Sequence, residues 1–495
     1  MKRDRHLILV SNRLPLTFSK TRTGWSAQPS NGGLVSALLP IANEYGGFWI
    51  GWTGTDYESG IEDSLTGSRF NLPRSSIIPV FLSAEEKRCF YQNCANETIW
   101  PLFHGLEMRS TFDPEHWLVY REVNEKFADA VESIARRDDF VWVHDYHLML
   151  VAQAIAFREL PLKLAYFHHI PFPAPEIFEK LPWHKELLSA LLQFHTLGFQ
   201  TTRDASNFLA SVRRCFHDVE ERQLVSGILV QAGGRSSVVE IHPISVDFHS
   251  VEADAQAPAI TTAAKEMRNT LGNAKLLVGV DRLDHSKGIV ERLRALEALL
   301  ESHSELRGRV VLHQVTIPSR EEIASYQQLR RNICEAVAEI NCRFGASEWI
   351  PVVHEYRQLT RSELLALYRA ADVALVTPLR DGMNLVAKEF CASRIDDSGV
   401  LLLSEFAGAA QELGGAAMLV DPRNRQSLSN AIHTALVMDK SEQQRRMAAM
   451  RNRIREHDVF FWARSVLGSN RAFTPMEQLL PVTASVPSTR SAAVV

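Results

Sequence analysis

The stretch Thr377-Pro378-Leu379-Arg380-Asp381-Gly382-Met383-Asn384-Leu385-Val386-Ala387-Lys388-Glu389 decides the fold. The residues before it, Val373-Ala374-Leu375-Val376, form a short apolar run, the pattern of a parallel strand buried on both faces. Pro378 has no N–H for a ladder and ends that strand. Gly382 permits a tight turn, and Leu385 to Phe390 reads as a helix. A strand ends, the backbone turns, and a helix begins with free N–H groups facing the same crevice. That arrangement binds anions and sugar hydroxyls. Asp381 falls in the turn, and Glu389, about two helical turns further on, can point back to the same side. Taken alone, the stretch is also readable as an ordinary connection capped by Asp381.

The unit recurs on both sides. Leu276 to Val280 reads as a strand, followed by Asp281-Arg282-Leu283-Asp284-His285-Ser286-Lys287-Gly288 and a helix from Ile289 to Leu300. Arg282 and Lys287 are two cations in one loop at a helix N-terminus, which suits a pyrophosphate; a loop of solvated ion pairs is the alternative. Neither GxxxxGK[ST] nor GxGxxG is present here. Strands at 309–315, 351–353 and 400–404 continue the pattern, with a long helix from Glu321 to about Phe344. Residues 426–467 read as two helices with a break between Asp458 and Trp462, and the last ~25 residues as a disordered tail.

Toward the N-terminus, Leu7 to Val10 is a strand that delivers Ser11-Asn12-Arg13 at its carboxyl end, where open α/β sheets place ligands. Gly32 and Gly33 precede a helix over 35–45 and allow close backbone approach. Strands follow at 48–52 and 77–81, separated by an irregular loop over 54–75. Tyr91 to His104 is rich in aromatics and amides, as suits either a helix packed on the core or a sugar-binding wall. Two strands end in His144-Asp145-Tyr146-His147 and in His168-His169-Ile170-Pro171, which suggests one shared site. A metal centre built from these histidines and Asp145 is an alternative, as are core histidines or hydroxyl-bonding ones. A Ser-His-Asp triad lacks its GxSxG turn. Residues 247–270 show little apolar period and are placed as the domain junction.

At 495 residues the chain can build two or three full cores. Its net charge of −4 gives no electrostatic case for nucleic acid or an anionic membrane. Six scattered cysteines without a CxxC pair fit a reducing cytoplasm and argue against zinc or a disulfide framework. The apolar run after the first residues is too short for a signal peptide, and no run of ~18 apolar residues spans a membrane.

The motifs together resemble the retaining GT-B glycosyltransferases of the trehalose-6-phosphate synthase type. The resemblance runs over residues 7–465 and is carried by SNRLP (11–15), NGGL (31–34), Tyr91 to His104, VHDYHL (143–148), FHHIPFP (167–173), LGFQT (197–201), VDRLDHSKG (280–288), TPLRDGMNLVAKEF (377–390) and LSEFAGAA (403–410). It implies an α/β fold of two Rossmann-like domains facing across a cleft. Residues 1–246 would form the acceptor domain and 247–455 the nucleotide-sugar domain; 456–470 would be a helix crossing back and 471–495 the tail. The implied reaction moves glucose from a nucleotide-glucose, usually UDP-glucose, to glucose 6-phosphate, giving α,α-trehalose 6-phosphate and nucleoside diphosphate. The donor is a substrate; no cofactor, metal or protein nucleophile is implied. A homo-oligomer, dimer or tetramer, is allowed rather than implied.

The resemblance also implies roles. Arg13, Tyr91, Trp100 and Arg320 match contacts to the acceptor phosphate, and Asp145 the carboxylate on the acceptor sugar. Gly33 matches the glycine beside the donor, and His169 the histidine at the donor glucose. Arg282 and Lys287 match the pair on the diphosphate. Asp381 with the N–H groups of Gly382, Met383, Asn384 and Leu385 matches the donor-glucose cradle, and Glu389 the ribose carboxylate. Asp145, His169, Arg282 and Lys287 are the expected catalytic set. His285 stands where the family often has Tyr. Ser245 stands where Gly is usual, which bears on donor preference. The nearest rival is a sister enzyme that glucosylates glycerol 3-phosphate from ADP-glucose. A catalytically silent sugar-phosphate sensor is a second rival.

Overall fold

The structure, a computed structural model, describes residues 6–22, 24–30, 32–56, 77–106, 110–156, 158 and 162–471. Asn31, most of the expected 54–75 loop and the tail from residue 472 lie outside the described residues. Two sheets carry the chain. The first contains β1 (Leu7–Arg13), β4 (Phe48–Asp56), β5 (Ile77–Leu82), β6 (Phe140–His144), β7 (Lys163–His168), β8 (Thr196–Phe199), β9 (Glu220–Gln223), β10 (Gly227–Ala232) and β11 (Arg235–Ile241). A separate hairpin pairs β2 (Leu16–Thr21) with β3 (Gly24–Pro29). The order in the first sheet is β5-β4-β1-β6-β7-β8-β11-β10-β9. Its pairs are parallel until β11, after which β10 and β9 run antiparallel.

The second sheet contains β12 (Lys275–Arg282), β13 (Val310–Ile317), β14 (Val352–Tyr356), β15 (Val373–Val376), β16 (Val400–Ser404) and β17 (Met418–Val420), in the order β14-β13-β12-β15-β16-β17. All its pairs are parallel. The chain therefore winds outward from β12 to β14, then reverses to β15 on the other side of β12. A crevice opens at that reversal, outside the carboxyl ends of β12 and β15. The first sheet reverses in the same way between β1 and β6. The continuous apolar runs explain the parallel pairing: Ile8, Val10, Val141 and Val143 are fully buried, as are Leu277 and Leu402, because helices cover both faces.

Several expectations change. The stretch over 247–270, placed as the domain junction, forms two helices that the sequence did not reveal, Phe248–Gln256 and Pro258–Leu271. Their apolar side, Phe248, Val251, Ala255, Ile260 and Ala264, is buried, and its sparse spacing among Ala and Thr hid the period. The two helices expected over 426–467 are three: Arg425–Leu436, Lys440–Glu456 and Val459–Arg471. Trp462 packs on Trp142 and Phe167 of the first sheet, ring centroids 4.8 and 5.2 Å away. The Gly233-Gly234 turn closes a β10–β11 hairpin; both glycines have positive φ, as a type I′ hairpin turn requires. Lys87–Ile99 is a π-helix, continued by an α-helical turn over Trp100–Phe103. Among the described residues no helix is long and apolar enough to cross a membrane.

Candidate active site

β1 and β6 lie side by side at the reversal in the first sheet, so Arg13 and Asp145 emerge at neighbouring strand tips. The Arg13 guanidinium lies over the Trp52 ring at 4.3 Å and the Tyr91 ring at 5.1 Å. Gly54 leaves room for it, since a Cβ there would fall 1.6 Å from Arg13 Nη1. Arg320 arrives from beyond β13, over the Trp100 ring at 4.8 Å. It donates to the Tyr326 hydroxyl and to the Tyr146 hydroxyl at 3.4 Å. Burial raises the Tyr91 phenol, but the nearby Arg13, Arg320 and Arg282 outweigh it and hold the group below its ordinary range. Three cations thus converge on one aromatic wall, the arrangement a phosphate recognises.

Asp145 sits in a backbone conformation normally confined to glycine, φ 76° and ψ 168°. The bend brings its carboxylate to the His169 N–H, which donates to Oδ1 at 3.2 Å. Burial pushes this carboxyl up to about 6, against the backbone N–H groups of Tyr146 and His169 and the charge of Arg282. Arg320 and Asn384 also have positive φ, 52° and 74°. Strain of this kind costs about 1–3 kcal/mol per residue; three of the five positive-φ non-glycine residues described stand at the cleft, the other two being Asp138 and Asp397.

Three strand-tip histidines each engage one ring nitrogen, His144 Nδ1 lying 3.0 Å from His169 Nε2 and His168 Nδ1 3.0 Å from the Tyr166 hydroxyl, while both nitrogens of His147 are buried without a hydrogen-bond partner among the described residues. Burial keeps His144 down at about 3 and His169 well below its ordinary value, so both are neutral near pH 7. A group of possible metal ligands, His303, Glu305 and His433, lies at the far end of the helix Ile289–Ser302, away from the cleft.

The second sheet supplies the opposite wall. Arg282 ends β12, exposed, and holds no ion pair among the described residues. Lys287 does not stand free beside it: its Nζ donates to Asp381 Oδ2 at 2.5 Å. Asp381 also accepts from the Gly382 N–H and from Asn384 Nδ2, both at 3.0 Å. Burial opposes ionisation of Asp381, yet Lys287 wins and keeps the carboxyl below its ordinary range. No side chain caps the helix Leu385–Ser393, the helix Ile289–Ser302 or the helix Gly33–Tyr45. A helix end without a side-chain cap can bond an anion through its first N–H groups.

The walls meet closely. A Cβ on Gly33 would lie 3.6 Å from Leu385 Cδ1, and one on Gly382 only 1.9 Å from the carbonyl oxygen of His169. Behind the second wall, Arg292 is fully buried. It donates to Asp281 Oδ2 at 2.6 Å, Gln314 Oε1 at 2.7 Å and Thr377 Oγ1 at 3.0 Å. One guanidinium thereby ties β12, β13 and the turn after β15. Sequence reasoning missed this residue, because nothing in the chain pairs position 292 with Thr377. Met383 is buried at the turn, and Ser245 is buried with its hydroxyl unpaired among the described residues. His285 packs edge-on against Tyr326, centroids 5.2 Å apart.

Glu389 is half-buried on the first turns of its helix, and burial lifts its carboxyl to about 7, with Arg361 opposing. The folded protein therefore binds a proton here more tightly than the unfolded chain does. Its contribution to stability is present below the unfolded value of 4.5 and is lost as pH rises through about 7. Glu389→Gln should be more stable than the parent by about 1–3 kcal/mol at pH 8.5 and nearly equal at pH 4.5. Urea unfolding at the two pH values checks this; equal stability at pH 8.5 would contradict it.

The family model for glycosyltransferase family 20 matches residues 5–471. A bifunctional trehalose-6-phosphate synthase/phosphatase from Thermoproteus tenax is 41% identical over 467 residues, 92% of this chain. The chain spans 62% of that protein's length. A trehalose-6-phosphate synthase from Mycobacterium sp. (strain KMS) is 41% identical over 472 residues, covering 94% of each chain. The crystal structure of a UDP-forming α,α-trehalose-phosphate synthase from Burkholderia xenovorans, in complex with glucose 6-phosphate, superposes with a TM-score of 0.86 at 34% identity. The match covers 94% of this chain and 100% of that one.

Proposed function

The chain belongs to glycosyltransferase family 20, and from that premise we propose that it moves glucose from UDP-glucose to glucose 6-phosphate, forming α,α-trehalose 6-phosphate and UDP. One observation carries the reading: two unlike cation-bearing walls face each other across one crevice. Arg13, Tyr91, Trp100 and Arg320 form the acceptor side, with Asp145 on the acceptor sugar. Arg282, Lys287, Asp381 and the open helix terminus at Leu385 form the donor side, with Gly33 and His169 closing over it. The B. xenovorans relative was crystallised with glucose 6-phosphate and is UDP-forming, which supports this choice of substrates.

Breaking the bond between C1 and the diphosphate builds positive charge on the sugar and negative charge on the leaving group. Arg282, Lys287 and the helix N-terminus stabilise that negative charge. The acceptor oxygen bonds to C1 on the face the diphosphate leaves, and its proton passes to the departing phosphate oxygen. Retention then needs no protein nucleophile or general base, and Asp145 acts by positioning. The same proposal puts the domain boundary at 246/247 and the protein in the cytoplasm, with neither metal nor cofactor.

Turnover should be measured with UDP-, GDP- and ADP-glucose, each against glucose 6-phosphate and glycerol 3-phosphate. UDP-glucose with glucose 6-phosphate should exceed every other pair by about tenfold or more in kcat/KM, as a single well-used contact suffices for that ratio. Highest turnover with ADP-glucose and glycerol 3-phosphate would overturn the reading.

A further inference from the structure

His104 stands at the seam between the two walls and has no part in the chemistry above. It is buried, 5% exposed. Its Nδ1 lies 2.9 Å from the carbonyl oxygen of Trp100. A carbonyl only accepts, so Nδ1 carries the proton and Nε2 keeps a bare lone pair. Nε2 makes no hydrogen bond among the described residues.

The ring is held on both sides of the seam. It stacks on Trp100, centroids 3.9 Å apart and planes 23° apart, and Trp100 in turn carries the Arg320 guanidinium. From the second domain, Asp284, Asp381 and Lys287 lie within electrostatic reach of the imidazole. The next residue, Gly105, approaches the turn before Asp381: a Cβ there would lie 3.3 Å from Arg380 Nη1. Burial, helped by Lys287 and opposed by Asp284, the Trp100 carbonyl and Asp381, keeps the imidazole down at about 4. The ring is therefore neutral throughout the working range.

We propose that His104 is a specificity-determining residue whose Nε2 accepts a hydrogen bond from a hexose hydroxyl at the junction of donor and acceptor. An imidazole of fixed tautomer can only accept through this nitrogen, so it selects a hydroxyl and rejects a carbonyl or ether at the same point. The inference rests on the glucosyl-transfer reading above.

His104→Phe keeps a stacking ring without nitrogens, and His104→Gln returns a polar acceptor close to Nε2. H104F should lose about tenfold in kcat/KM, the worth of one hydrogen bond to a neutral group, and H104Q should recover to within about threefold of the parent. The deciding measurement is a panel of monodeoxy donors and monodeoxy acceptors. The parent should lose about tenfold on the analogue lacking the contacted hydroxyl, while H104F loses nothing further on that analogue alone. Whether that analogue is a donor or an acceptor assigns the sugar. Equal losses by parent and H104F on every analogue, or full activity of H104F, would overturn the inference. Should H104F not fold, nitrogen NMR of histidine-labelled parent protein decides: the Nε2 resonance must move on substrate binding, and an unmoved resonance refutes the contact. A parent protein with no turnover of any nucleotide-glucose would instead sink the functional reading, and this inference with it.

Discussion

Arg282→Ala is expected to lower kcat by about a thousandfold, leaving the KM for glucose 6-phosphate within about threefold of the parent. Arg282 ends β12 with its guanidinium exposed and holds no ion pair among the described residues. Its field reaches Asp145, Tyr91 and Asp381, so it lies between the acceptor and donor sides. In the proposed reaction, a cation placed there meets little charge in the ground state beyond that of the donor diphosphate. It meets more as the C1–O bond stretches and the leaving oxygen gains charge, so its removal falls mainly on the transition state. Arg13→Ala should give the opposite signature, a raised acceptor KM, because that guanidinium faces the Trp52 and Tyr91 side of the cleft. Steady-state kinetics on both variants make the comparison. A raised acceptor KM with unchanged kcat in the Arg282 variant would contradict its placement on the leaving group.

Gly382→Ala should lower kcat/KM by about a hundredfold or more without unfolding the protein. A single methyl at this position falls 1.9 Å from the His169 carbonyl oxygen and 3.0 Å from the Ile170 Cα. Both are backbone atoms and cannot swing aside. The turn cannot retreat either, because a Cβ on Gly408 would lie 1.8 Å from the Gly382 carbonyl oxygen, showing how closely that loop backs it. The first and second walls must then separate by about an ångström, a displacement sufficient for losses of this size when reacting groups are pre-positioned. The expected result is a variant whose melting temperature stays close to the parent's while its turnover collapses. Full activity in Gly382→Ala would mean that the walls do not close this tightly during reaction.

Much of the site could be read from the chain because its parts are local. The strand 373–376, the turn at Gly382 and the helix from Leu385 follow one another in sequence, and each leaves a mark: β-branching, Pro378, Gly382. The same holds for Arg13 after β1 and Asp145 after β6. What remained hidden depends on contacts between distant segments. The Lys287–Asp381 ion pair joins positions 94 apart, and Arg292 reaches Thr377 across 85. Neither leaves a local pattern, so Lys287 was legible as a cation beside Arg282 but its carboxylate partner was not. His104 was legible only as part of an aromatic stretch, since its tautomer is set by the carbonyl one helical turn before it. The helices at 248–271 were missed for the reverse reason: small residues pack well but give a weak apolar rhythm.

The Lys287–Asp381 contact has a consequence for selectivity among the many phosphorylated compounds of a cell. An arriving anion must compete with a tethered carboxylate that is already in place, at an effective concentration set by the fold. Inorganic phosphate offers the lysine nothing that Asp381 does not. On the proposed function, a sugar nucleotide would offer two phosphates to Arg282 and Lys287 together, and sugar hydroxyls to the carboxylate released from its partner. The built-in competitor would then filter out small anions.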